Sequence, residues 1–134
     1  MRIPIRKQLR PIAEKYELRL IALFGSQVSG HTHPESDVDV AVWAENHLSF
    51  ARQSKLWREL SDAVGAEVDL SVLNHAEPLL LYVVSRQGRL LYENKRRAWE
   101  EYRGYAFRYY CDTHDLRDAL DRDTRRRIRA WGHA

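Results

Sequence analysis

One segment of the sequence combines residue types that bind phosphates and divalent cations. Gly25 and Ser26 are separated by ten residues from an Asp-Val-Asp run that contains Asp37 and Asp39. The glycine permits a tight turn and a close backbone approach to a ligand, and the following amides and hydroxyl can surround an anion. The two aspartates provide the carboxylate oxygens that Mg²⁺ prefers. The segment could therefore hold a triphosphate between an anion cradle and a metal site.

A third carboxylate lies in a separate stretch. Residues 37–43 and 67–73 both alternate apolar and polar side chains, which predicts two strands and places Asp37 and Asp39 on one face. Asp69 points away from its apolar neighbours, so pairing of the two strands would bring all three carboxylates together. Neighbouring carboxylates repel each other, and a divalent cation removes that cost. Three carboxylates could hold two metals about 3.5–4 Å apart, an arrangement suited to nucleotidyl transfer.

Each half of this pattern has an ordinary structural explanation when taken alone. An Asp-x-Asp strand can present a solvated face, and Gly-Ser is a common turn. The joint pattern is different, because four specified residues at fixed spacing arise by chance about once in 10⁵ windows at background frequencies of about 6%. The strand–turn–strand context strengthens the functional interpretation further.

Apolar spacing predicts the elements that must position these residues. The first helix, over 2–16, contains Pro11, which is a defect in a helix and a candidate for its true start. The helix over 48–64 is expected to bury Phe50, Trp57, Leu60 and Val64 and to end at Gly65. The remaining predicted elements are strands over 18–24, 37–43, 67–73 and 89–92, a helix over 78–87, and two helices from 95 onward.

This order of elements predicts an α+β fold: a small mixed β-sheet flanked by helices, followed by a C-terminal helical tail. Residues 1–94 would form the core. Residues 95–134 would form a helical extension packed on that core, within a single domain. The first tail helix is expected to carry an aromatic stripe of Trp99, Tyr102 and Tyr109, with Ala106 between them.

Composition excludes several classes of protein. The chain has 134 residues, is 44% hydrophobic and carries a net charge of +3, which fits one folded domain rather than a disordered chain. Its single cysteine, Cys111, excludes a disulfide-stapled scaffold and a cysteine-rich zinc site. The sequence contains neither a secretory signal nor an apolar run long enough to cross a bilayer. A cytoplasmic location without membrane association is therefore expected.

The positive charge is concentrated in the tail. Residues 1–94 carry 11 basic and 12 acidic side chains, whereas residues 95–134 carry 11 basic and 7 acidic ones. A basic cluster of Arg125, Arg126, Arg127 and Arg129 either forms a solvated helix end, the commoner case, or docks an acidic partner surface or RNA.

The Gly25-Ser26-x₁₀-Asp37-x-Asp39 pattern resembles the signature of the polymerase β-like nucleotidyltransferase superfamily. The longer runs GSQVSGHTHPESDVDVAVW and EVDLSVLNHAEPLLLYVVSRQGRLLYE resemble the minimal nucleotidyltransferase (MNT) group. Within that group, the chain is most similar to the MntA-type adenylyltransferase antitoxins of MNT–HEPN toxin–antitoxin pairs. The resemblance covers about residues 1–110. It departs at Gln27, where related sequences often carry a basic residue that would add charge to the phosphate site.

The resemblance implies a specific reaction. Asp37, Asp39 and Asp69 would bind Mg²⁺, in two ions, and Asp69 could act as the base toward an incoming hydroxyl. Gly25 and Ser26 would hold the phosphates of ATP. The enzyme would transfer AMP to a tyrosine of a HEPN-family ribonuclease toxin and silence it within a hetero-oligomeric complex. Ribonuclease activity is not expected, because the toxin's own Arg-x₄-His-x-Tyr motif is absent from this chain, and direct binding of nucleic acid is not expected either.

Two other functions remain open at this stage. The same chemistry with another acceptor would make the protein a small-molecule nucleotidyltransferase of the antibiotic-modifying type, although 134 residues leave little room for a substrate-binding domain. The third possibility is a non-catalytic antitoxin that covers the toxin's active site. A cluster of three carboxylates with no catalytic role would lower the stability of the fold, which argues against a non-catalytic antitoxin.

Overall fold

A four-stranded mixed sheet lies at the centre of the computed structural model, which describes residues 3–25 and 38–132. The strands are β1 (Leu18–Phe24), β2 (Val38–Ala44), β3 (Val68–Val72) and β4 (Arg89–Glu93), in the order β3-β2-β1-β4. β1 runs antiparallel to both β2 and β4, whereas β2 and β3 are parallel. The predicted mixed sheet and its four strands are confirmed.

Five helices connect and cover the strands within the described part of the chain. They are α1 (Arg6–Lys15), α2 (Phe50–Val64), α3 (Pro78–Gln87), α4 (Ala98–Asp112) and α5 (His114–Gly132). A short 3₁₀ turn (Leu73–His75) follows β3. Together with the sheet, these helices form the predicted α+β fold. None of them is long and apolar enough to cross a membrane.

The two faces of the sheet carry separate hydrophobic cores. On one face, α1 and α2 contribute Leu9, Leu56 and Leu60 to a core with the alternating valines of β2 and with Val68. On the other face, buried residues of α3 and α4 pack against Leu20, Ala22 and Ala41 of the inner strands. Because strand side chains alternate between faces, the residues at 39 and 69 belong to the second face.

The first helix differs from its prediction. It begins at Arg6 and contains Pro11 as its sixth residue, so Pro11 does not mark its start. Proline removes one helical N–H, which leaves the carbonyl of Lys7 without its usual donor. Both residues are exposed, and water can satisfy that carbonyl. The helix start is fixed instead by Gln8, whose side-chain oxygen accepts a hydrogen bond from the backbone N–H of Ile5 at 3.0 Å.

The predicted core face of α2 is partly wrong. Phe50 is 86% exposed and Trp57 38% exposed, while the buried stripe is Leu56, Leu60 and Val64. Phe50 is the first residue of the helix, and the buried stripe begins only at Leu56. The predicted end at Gly65 is confirmed, because this glycine adopts φ +75° and its N–H donates to the carbonyl of Ser61.

The C-terminal helices differ in how they contact the sheet. α4 contributes the buried residues Tyr102 and Ala106 to the second core, whereas Tyr109 is 39% exposed. Most described side chains of α5 are exposed, including Arg125 and Arg127, which form ion pairs with acidic residues one turn earlier. The division of the chain at residue 94 stays a prediction.

Candidate active site

Gly25 and Asp39 lie in contact where β1 ends. Phe24 pairs with Asp39 across the antiparallel β1–β2 ladder, and Gly25 follows with φ +77°. A Cβ atom added to Gly25 would overlap Oδ2 of Asp39 and lie 3.0 Å from its Cγ. The missing side chain therefore makes room for the Asp39 carboxylate. This requirement is independent of the role in phosphate binding that the sequence predicts for Gly25.

Asp39 and Asp69 occupy the same register on neighbouring parallel strands. Their Cα atoms are partners in the β2–β3 ladder, so both side chains leave the same face of the sheet. Asp39 is half-buried and Asp69 is exposed. Neighbouring strands lie about 4.8 Å apart, and like charges directly opposite each other are destabilising. A site that brings these two carboxylates together is suited to a cation.

Apolar packing on the opposite face fixes this register. Val38 and Val40, which flank Asp39, are buried in the core beneath α1 and α2, and Val68 beside Asp69 is buried in the same core. A slip of one residue would turn these valines toward the other face and remove the carboxylates from theirs. The alternation that revealed the strands in the sequence is therefore what aligns the two acids.

Asn74 connects the far ends of the same two strands. The backbone N–H of Ala44 donates to Oδ1 of Asn74 at 2.9 Å, and Nδ2 of Asn74 donates to the carbonyl of Ala44 at 2.7 Å. This pair of bonds joins the end of β2 to the turn after β3. The sequence analysis assigns Asn74 no role, although this residue lies in the EVDLSVLNHAEPLLLYVVSRQGRLLYE run that supports the resemblance.

Tyr102 anchors α4 over the face that carries the aspartates. Its ring is 1% exposed, and its hydroxyl donates to the carbonyl of Leu81 at 2.7 Å. Burial raises the pKa of Tyr102 above the ordinary tyrosine value. Beside it, Trp43 contacts the guanidinium of Arg19, which lies 5.0 Å from the ring centroid, and stacks with the ring of Tyr105. These contacts fix the helices beside the candidate site.

Two of the five predicted site residues, Ser26 and Asp37, lie outside the described residues. Of the other three, the structure brings Gly25 to Asp39 and Asp39 to Asp69. Residues 3–25 and 38–132 contain no group of three histidine, cysteine or acidic side chains arranged to hold a metal. The pair Asp39 and Asp69 fits a divalent cation by its chemistry, because paired carboxylates are a normal protein contribution to Mg²⁺ bound with phosphates.

Several known proteins are similar to this chain. Protein adenylyltransferase MntA of Shewanella oneidensis is 38% identical over 76 residues, which is 57% of this chain and 55% of that protein. A crystal structure of a toxin-antitoxin with AMP-PNP superposes with a TM-score of 0.76 at 28% identity, covering 89% of this chain and 97% of the other. The chain thus spans little more than half the length of the curated relative but nearly all of the structural one.

A second structure, of a tri-AMPylated Shewanella oneidensis HEPN toxin in complex with an MNT antitoxin, superposes with a TM-score of 0.70. The identity is 26%, over 89% of this chain and 94% of the other. Residues 7–97 match the family described as polymerase beta, nucleotidyltransferase. That match includes both strands that carry the paired aspartates and the glycine beside them. The chain therefore belongs to the polymerase beta nucleotidyltransferase family.

Proposed function

We propose that the protein is an antitoxin that transfers AMP from ATP to a tyrosine of a HEPN-family ribonuclease toxin. The observation that carries this proposal is the in-register pair Asp39 and Asp69, with Gly25 in contact with Asp39. Relatives named as protein adenylyltransferases, and similar structures of toxin–antitoxin complexes, support the same acceptor class. The partner would be held in a hetero-oligomeric complex.

The proposed reaction is a single displacement at phosphorus. The tyrosine hydroxyl oxygen attacks the α-phosphorus of ATP, a new oxygen–phosphorus bond forms, and the bond to the α,β-bridging oxygen breaks. Pyrophosphate leaves with that oxygen, and the hydroxyl proton passes to the carboxylate of Asp69. Because Asp69 is exposed at the outer strand, an acceptor from another protein can reach it. Phosphate charge added to the toxin would then disturb its active site.

The other predicted site residues have supporting roles in this proposal. The backbone at Gly25 and the hydroxyl of Ser26 hold the phosphates of ATP. Asp37, Asp39 and Asp69 would hold Mg²⁺, which when bound screens the phosphate charge and stabilises the leaving pyrophosphate. The location in the cytoplasm, where ATP and a ribonuclease toxin would meet, is part of the same proposal.

Labelled ATP tests the reaction directly. The protein is incubated with Mg²⁺, α-labelled ATP and its cognate HEPN toxin, and label on toxin tyrosine is measured by gel and by peptide mass spectrometry. Transfer that Asp39→Asn abolishes is the expected result. Absence of label on a toxin that wild-type protein binds, while MgATP uptake is intact, would refute the proposal.

A toxin-rescue assay distinguishes the other candidates. The double variant Asp37→Asn with Asp39→Asn is expected to lose rescue while it still binds toxin. Full rescue by this variant would favour a non-catalytic antitoxin. Release of pyrophosphate that depends on an added aminoglycoside, with no toxin labelling, would favour small-molecule transfer instead.

A further inference from the structure

Among residues 3–25 and 38–132, no strand pairs with the backbone groups on the outer edge of β3. Val38 donates its backbone N–H to the carbonyl of Glu67 at 3.0 Å, which sets the alternation of this parallel ladder. The N–H and carbonyl of Asp69 therefore face β2, whereas those of Val68 and Leu70 face away from the sheet. β3 is an edge strand in the observed order.

Side chains of α2 satisfy one of these outward positions. Nε1 of Trp57 donates to the carbonyl of Val68 at 2.6 Å, and the N–H of Val68 donates to Oγ of Ser61 at 3.2 Å. Leu70 is the next outward position, and no side chain in the described part of the chain bonds to its backbone groups. The edge is therefore covered at Val68 and open at Leu70, one residue beyond Asp69.

A groove of about 290 Å³ lies along this open edge. One wall is α2, and the floor is β3. The residues lining it are Gln53, Ser54, Trp57, Val68, Asp69 and Leu70. The groove therefore runs along the backbone of Asp69, whose carboxylate leaves the opposite face of the same strand and is assigned as base by the proposed function.

The surface around Trp57 is acidic. Trp57 also lines a second groove, of about 480 Å³, together with the exposed residues Asp62 and Glu67. Among the described residues that line the two grooves there is no lysine or arginine. The indole face, 38% exposed, can stack on a guanidinium or an aromatic ring. These features select a positively charged partner segment.

We propose that an extended, cationic segment of the acceptor protein binds along this edge and pairs with the backbone of Leu70. Side chains of an added strand alternate between its two sides. A tyrosine on the Asp69 side would present its hydroxyl to that carboxylate, while neighbouring residues contact Trp57 on the other side. Basic residues of the segment would lie against Asp62 and Glu67. The inference rests on the proposed function and adds the surface that delivers the acceptor.

Charge reversal tests the surface without altering the candidate catalytic residues. Asp62→Lys with Glu67→Lys changes two exposed side chains, and Asp121→Lys with Asp123→Lys makes the same change in net charge on the exposed helix α5. In steady-state AMP transfer to the HEPN toxin, the groove variant is expected to raise KM for toxin at least tenfold and to leave KM for ATP unchanged. The α5 variant is expected to change KM for toxin less than twofold. Equal effects of the two variants, or no effect of either, would overturn the proposal.

A peptide probe examines strand addition itself. The probe is a synthetic ten-residue peptide with a central tyrosine flanked by arginines, and its counterpart has glutamate in place of arginine. Wild-type protein with the arginine peptide is expected to slow hydrogen exchange at the Leu70 amide, and Trp57→Ala is expected to weaken peptide binding more than Trp57→Phe. No added protection at Leu70, or equal binding of both peptides, would contradict the groove.

The two proposals can fail separately. Normal toxin labelling with an unchanged KM for toxin in the groove variant would overturn the groove alone. Protection of Leu70 by the arginine peptide, together with no labelling of toxin by wild-type protein, would overturn the transfer reaction alone.

Discussion

The α-carbon of Gly25 faces the carboxylate of Asp39 so closely that no side chain fits between them. An added Cβ would lie 3.0 Å from Cγ of Asp39 and would overlap Oδ2. Gly65 has nearly the same backbone conformation, with φ +75° compared with +77°, yet a Cβ there would have no neighbour within 4 Å. Alanine at position 65 would therefore have only the cost of a left-handed backbone, whereas alanine at position 25 would also displace the Asp39 carboxylate.

We predict that Gly25→Ala lowers the rate of AMP transfer far more than Gly65→Ala does. Gly65→Ala is expected to lose about 1 kcal/mol of unfolding free energy, because alanine is strained at positive φ, and Gly25→Ala is expected to lose at least as much. Only Gly25→Ala also displaces the Asp39 carboxylate, and a displacement of about 1 Å at an active site can cost 10²-fold in rate. Urea unfolding and toxin labelling measure the two effects. Equal activities of the two variants would contradict this account.

The pairing of Asp39 with Asp69 could be predicted from the sequence, because the same alternating pattern indicates each strand and the face on which its aspartate lies. In 37–43 and 67–73, every second residue is a valine or a leucine, so burial of Val38, Val40 and Val68 fixes which way Asp39 and Asp69 point. The contact between Gly25 and Asp39 could not be predicted in this way. It depends on the register of β1 with β2, which no local pattern specifies.

Errors in the predicted fold arose where tertiary context overrides local spacing. Trp57 has the helical spacing of a core residue, but it lies at the flank of α2, where its indole N–H reaches the edge of β3. Pro11 looked like a helix start, yet its exposed position lets water replace the missing hydrogen bond. In both cases the deciding factor was the position of the side chain relative to the sheet.

Removal of the Asp69 carboxylate should reveal how strongly it repels the carboxylate of Asp39. Without added Mg²⁺, Asp69→Asn is expected to raise the free energy of unfolding by about 0.2–1 kcal/mol, because it removes a like-charge cross-strand pair. Saturating MgATP at about 100 times Kd would stabilise wild-type protein by about 2.7 kcal/mol and the variant by clearly less. Thermal unfolding with and without MgATP measures both effects.

Asp112→Asn is the control for this experiment, because it removes an exposed carboxylate on α4. Its unfolding free energy is expected to respond to MgATP as the wild type does. The prediction would be wrong if Asp69→Asn kept the full stabilisation by MgATP, or if Asp112→Asn lost it.

Asn74 should contribute to stability through both ends of its amide. Asn74→Ala leaves the N–H and the carbonyl of Ala44 without these partners, in a half-buried position, and is expected to cost about 1–3 kcal/mol. Asn74→Asp keeps the acceptor for the Ala44 N–H but places a second carboxylate oxygen against the Ala44 carbonyl, so it is also expected to lower stability. Urea unfolding of both variants is the measurement. Stability of Asn74→Ala within a few tenths of a kcal/mol of wild type would refute this role.

The buried hydroxyl of Tyr102 should make stability depend on alkaline pH. Burial raises the pKa of Tyr102 above the ordinary value of about 10, because the phenolate would lose its hydration beneath α4. Above pH 10 the unfolded chain therefore releases this proton while the folded protein retains it, so the unfolding free energy falls as pH rises. The slope from one such group is at most about 1.4 kcal/mol per pH unit.

Tyr102→Phe removes the titrating group and is the variant that tests this claim. Below pH 9 it is expected to be about 0.5–1.5 kcal/mol less stable than wild type, because the hydrogen bond to the carbonyl of Leu81 is lost. Between pH 10 and 11.5 the deficit should shrink and then reverse, since only the wild-type protein has to retain the proton of Tyr102. All other side chains are the same in the two proteins, so their contributions cancel in the difference. Unfolding curves measured across this range should therefore converge and cross, and curves that stay parallel would show that the Tyr102 hydroxyl titrates as it does in the unfolded chain.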